Sequence, residues 1–141
     1  VYERWGAPIK TGNNLVIDTL HENGPRIPLR MAPMVLVGTV LTHLFGGSAG
    51  REGTAVQMGA SLADALAFRF RAGRDLRRAL IASGIAGGFG SVFGTPVAGV
   101  VFALEVVTVG RLELAALVPA LVASVVGDQV TRALAVVHTP Y

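Results

Sequence analysis

Long uncharged runs separated by short arginine-bearing loops dominate this chain, and they predict an all-helical protein. Residues 31–50 (MAPMVLVGTVLTHLFGGSAG) carry no Asp, Glu, Lys or Arg, and about 20 apolar residues is the length one helix needs to cross a bilayer. The pattern predicts a first crossing, with a helix over 28–46. A shorter segment rich in small residues, GTAVQMGASLADALAF at 53–68, follows a glycine-flanked arginine and glutamate and runs into Arg69, Arg71, Arg74, Arg77 and Arg78. It predicts a helix over 51–68 that begins part-way into the membrane.

Charge is again absent from 79 to 104, yet the middle of that stretch reads Gly-Gly-Phe-Gly-Ser-Val-Phe-Gly-Thr-Pro. Pro96 has no amide donor and biases Thr95 away from helix. Two helices, 75–90 and 96–107, are expected around a break at membrane depth, which is tolerated only where protein or a water-filled cavity satisfies the freed backbone groups. The last apolar run predicts a helix over 112–135, with Pro119 early and Asp128 and Arg132 spaced for a helical ion pair. Residues 1–25 look like a loop leading into one short helix over 13–21. Arginines precede the first, third and last crossings, placing those three loops on the cytoplasmic face.

Composition strengthens the membrane reading. Of the 141 residues, 52% are hydrophobic and 15% charged, and the mean hydropathy is +0.58, well away from soluble proteins. Glycine, at 18 residues, is used about twice as often as average and falls inside the apolar segments, as where helices pack closely in lipid. The expected class is an all-α, polytopic membrane protein forming one partial transmembrane domain over 1–141. The chain starts without Met and without a signal-peptide pattern, so it reads as truncated. The net charge of +3 comes from loop arginines rather than a basic helical face, which argues against nucleic acid. With no cysteine and three scattered histidines, no metal site and no cofactor is expected.

The candidate chemistry lies in Gly46-Gly-Ser-Ala-Gly-Arg-Glu-Gly-Thr. An ionisable side chain at the start of an apolar helix is costly unless it faces a cavity or a partner. The first-turn amides of such a helix are unpaired and partly positive, so an anion or a carboxylate can settle there. Gly50 and Gly53 let the backbone approach a ligand, and Glu52 could occupy the site when ionised and leave it when protonated. Equally compatible with the spacing is a glutamate that caps its helix and pairs with Arg51. A phosphate loop is disfavoured, because no Lys-Ser or Lys-Thr follows and no strand precedes. Asn13 and Asn14, after Gly12, offer further donors at a helix start, although a plain Asn N-cap is the commoner meaning. Glu105 closes a charge-free run, either as a boundary residue or as part of an inner proton path.

Together, GREGTAVQMG (50–59), SGIAGGFGSVFGTPVAGVVFALE (83–105) and their spacing resemble the CLC family of chloride channels and proton-coupled anion exchangers. The family's Gly-Arg/Lys-Glu-Gly-Pro motif opens a helix whose amides hold the central anion. Gly50, Arg51, Glu52 and Gly53 match it, with Thr54 where proline is usual, and the resemblance makes Glu52 the gating glutamate. The family's Gly-Ser-Gly-Ile-Pro motif falls on residues 12–16, where Asn13 takes the place of the anion-contacting serine. The internal proton glutamate of the chloride exchangers aligns with Val106. Glu105 lies one residue before it, about 100° around a helix.

These departures resemble the fluoride-exporting branch of the family, and the resemblance implies a halide/proton exchanger favouring fluoride over chloride. It also implies a homodimer in a bacterial plasma membrane, built from two inverted halves with binding at the midplane, of which this chain covers most of the first. Because the second half supplies other parts of the anion site, the piece alone is expected not to conduct. Val106 leaves a passive gated chloride channel as the rival, and a non-transporting membrane scaffold is the alternative of another class. An enzyme is disfavoured, because no nucleophile, base and orienting group stand at a recognisable spacing.

Overall fold

The structure, a computed structural model, describes residues 12–21, 25–107 and 114–135. Among the described residues six α-helices follow in order, α1 (Asn13–His21), α2 (Met31–Leu44), α3 (Arg51–Arg69), α4 (Arg74–Phe93), α5 (Pro96–Val107) and α6 (Leu117–Ala133), the last preceded by a 3-10 turn at Leu114–Ala116. Among the described residues there is no strand. Helix α4 is the hub: α3, α5 and α6 all pack on it, α2 lies along α3, and α1 touches α3 and α5.

Small residues explain how α4 accommodates three neighbours. A Cβ at Gly59 would collide with the Gly84 carbonyl, and one at Gly84 with the Gly59 carbonyl, so α3 and α4 meet backbone to backbone. Between α4, α5 and α6, Gly90 and Gly99 both abut the Ser124 hydroxyl, which itself donates to the Pro96 carbonyl at 3.0 Å. Close approach of this kind is how helices associate where lipid removes the hydrophobic driving force between them. Apolar side chains fill the remaining space, with Leu20, Ile27, Met31, Ile81 and Ile85 fully buried. Outward-facing positions are also apolar: Val37, Leu44, Val118 and Val122 are all more than half exposed.

Helix ends differ from the pattern at definite places. Helix α2 stops at Leu44 because the chain turns at Gly46, whose φ of 75° is left-handed. Its 14 residues span about 21 Å at 1.5 Å per residue, short of a ~30 Å hydrocarbon core. The full crossing expected over 31–50 is therefore a shorter helix and a loop. Helix α4 runs past 90 to Phe93, ending only where Gly94 turns left-handed at φ 65°, and Pro96 then opens α5. The break is two residues long. Of the 112–135 segment, residues 112 and 113 lie outside the described residues. The remainder begins as a 3-10 turn, and Leu114–Ala133 is the helical stretch, among the described residues, long and apolar enough to cross a membrane unaided. Arg132 pairs with Asp128 at 3.0 Å within it, as their spacing predicts.

One clasp was not legible in the pattern. Asp64, wholly buried on α3, takes Arg77 from α4 in a two-pronged ion pair, Nε at 2.6 Å and the second nitrogen at 3.0 Å. It also accepts the Ile27 amide at 2.7 Å. Ser61, one turn earlier, donates to the Pro28 carbonyl at 3.0 Å, and Phe68 carries the Arg26 and Arg77 guanidinium groups 4.6 and 5.0 Å from its ring centre. Residues 26–28, ahead of α2, are thus fixed to α3.

Candidate functional site

Helix α3 starts without a cap of its own. Gly50 is its N-cap residue, in extended backbone at φ −67° and ψ 120°, and as glycine it supplies no capping side chain. The amides of the first turn are left for another acceptor, and their partial positive charge favours an anion. Glu52 and Arg51 are both exposed, and neither side chain is hydrogen-bonded or ion-paired to the other or to any described residue. The pairing of Glu52 with Arg51, one of the two meanings open in the sequence, is absent from this structure.

The start of α1 is brought beside the start of α3. Gly12, at a left-handed φ of 54°, turns the chain into α1, and Asn13 faces Gly53 so closely that a Cβ there would lie 3.4 Å from the Asn13 Nδ2. Gln57, nearly two turns into α3, donates its Nε2–H to the Asn13 Oδ1 at 2.9 Å. Sequence reasoning singled out Asn13 and Gly53 but missed Gln57. Its only signal was its place four residues after Gly53, on the same face of a helix.

Other expected residues stand differently. The Thr54 hydroxyl is 2.7 Å from that of Thr39 on α2 and donates to the Gly50 carbonyl at 3.2 Å, so it ties α3 to α2 at the site's edge. Asn14, the next residue of α1, is exposed. Glu105 lines a groove on α5 with Thr95, Pro96, Val97, Ala98, Val101 and Phe102, none of which belongs to α1 or α3. Among the described residues no His, Cys, Asp and Glu gather as metal ligands would.

A polytopic helical membrane protein, with broken helices and two helix starts facing one another, is the class that this fold and site define. Within that class the chain belongs to the voltage gated chloride channel family, whose model matches residues 1–141. It is 56% identical over 140 residues to a chloride/fluoride channel protein of Pseudomonas syringae pv. tomato, covering 99% of this chain and 31% of that protein. A crystal structure of a CLC-type fluoride/proton antiporter is similar at a TM-score of 0.90 and 43% identity, over 97% of this chain and 34% of the other. More distantly, the H(+)/Cl(-) exchange transporter ClcA of Vibrio cholerae is 36% identical over 77 residues, 54% of this chain and 16% of that one. The chain spans about a third of the length of the first two proteins.

Proposed function

We propose that this chain forms the first half of the transport domain of a CLC-type halide/proton exchanger that favours fluoride over chloride. In this reading the amides of Gly50, Arg51, Glu52 and Gly53 and the Asn13 side chain bind the anion, while Glu52 is the protonatable gate. The observation that carries it is the approach of Asn13 to Gly53 at the uncapped start of α3. An ionised Glu52 competes with the anion for the first-turn amides, and a protonated one does not, because only the carboxylate is drawn to the positive helix end. The mechanism is binding and gating, with no covalent chemistry. The complete protein is proposed to be a homodimer in the bacterial inner membrane. Glu105 sits on an exposed stripe of α5 and has the weaker claim as an inner proton relay.

The names of the relatives support both members of this class, since one is called a channel and another an antiporter. Ion-electrode efflux from liposomes holding the full-length protein separates them. Fluoride efflux well above chloride efflux, driven by a pH gradient, is expected. Fast chloride efflux indifferent to that gradient would establish a passive channel instead, and no halide flux at all would leave only a scaffold.

A further inference from the structure

We infer that Gln57 is a positioning residue that fixes which end of the Asn13 amide meets the anion. The inference rests on the anion-binding reading of the α3 start given above.

A carboxamide has an acceptor end and a donor end, and beside an anion only the donor end is favourable. An Asn at an exposed helix start can present either by turning about its last torsion, which is broad and roughly two-fold. Here one orientation is selected. Gln57 donates to Asn13 Oδ1 at 2.9 Å, which occupies the oxygen and leaves Nδ2 as the free end, 3.4 Å from a Cβ built on Gly53 against 3.7 Å for the oxygen. The Gln57 Nε2 also lies within ordinary contact range of two glycines. A Cβ on Gly12 would lie 3.4 Å from it, and one on Gly53 would lie 3.8 Å from the same atom. The Asn13 donor is therefore set before an anion arrives, and a ligand group pre-oriented by a supporting hydrogen bond binds more tightly than one that must be ordered on binding.

The test is halide binding to the full-length protein by isothermal titration, with fluoride and chloride as probes. Gln57→Met keeps the length of the side chain and removes its hydrogen bond. It is expected to weaken fluoride binding about tenfold, the worth of roughly one hydrogen bond. Gln57→His, whose ring N–H can reach the same oxygen, should recover most of that loss. In an Asn13→Ser background, Gln57→Met should change the affinity less than about twofold, because there is no amide left to orient. An equal tenfold loss in both backgrounds would overturn the inference and leave the site intact. Absence of halide binding in the parent protein would overturn the anion-site reading and this inference with it. A Gln57→Met protein that no longer elutes as its parent does is replaced in the comparison by Gln57→Leu.

Discussion

Gln57 and Asn13 are 44 residues apart in the chain and 2.9 Å apart in space, and this bond joins the two helix starts that make the candidate site. It makes the relation between α1 and α3 a matter of side-chain chemistry as well as packing. Further along α3, the clasp on Asp64 holds Ile27, ahead of α2.

At the proposed gate, Glu52→Gln removes the titratable proton and keeps the shape. Because Glu52 has no described partner to lose, the full-length variant is expected to keep its thermal stability within about 0.5 kcal/mol. Halide flux should lose its response to an imposed pH gradient. Unchanged pH-driven transport in liposomes would remove Glu52 from the mechanism.

In the clasp, Asp64→Ala leaves the mostly buried Arg77 and the Ile27 amide without their acceptor. Removing one partner of a buried pair costs about 3–5 kcal/mol. A large fall in the melting temperature of the purified protein is expected, and Asp64→Leu combined with Arg77→Met should recover a substantial part of it. A loss below about 1 kcal/mol would place the pair among solvent-screened ones.

Where α3 and α4 touch, Gly84→Ala inserts a methyl against the Gly59 carbonyl and the Ala63 side chain. Backbone cannot step aside as a flexible side chain can, so a cost at or above the usual 1–3 kcal/mol for overpacking is expected. Gly73→Ala meets nothing within 4 Å and serves as the control. Thermal unfolding in detergent should separate the two variants clearly.

The hydroxyl contact between Thr39 and Thr54 predicts coupling rather than a large effect. Thr39→Val and Thr54→Val should each cost about 1 kcal/mol, and the double variant should cost less than the sum of the two. Additive losses would mean that the 2.7 Å contact contributes nothing of its own.

Two helix starts carry local signals in the sequence. Pro96 opens α5 by lacking a donor, and Gly50 precedes α3 as expected. The end of α4 was misread because glycine carries two meanings. At Gly84 and Gly90 it marks a neighbouring helix at close range, whereas at Gly94 it marks a left-handed turn, and only the fold tells them apart. Arg77 was read as a loop charge setting orientation, yet it is spent on Asp64. Both that pair and the contact of Gln57 with Asn13 join separate helices, and neither leaves a periodic trace along the chain.

The meeting of Gly59 and Gly84 bears on how any gate here can move. Helices that touch through long side chains can shear, because the side chains between them yield. These two have no such cushion at that point, so a shear of α3 against α4 would have to displace backbone, and Glu52 stands at the start of the helix so braced. On the gating reading proposed above, opening and closing would then fall to the Glu52 rotamer, and exposed side chains change rotamer in picoseconds to nanoseconds. Slower gating in the complete protein would have its origin in proton arrival or in the opposing half.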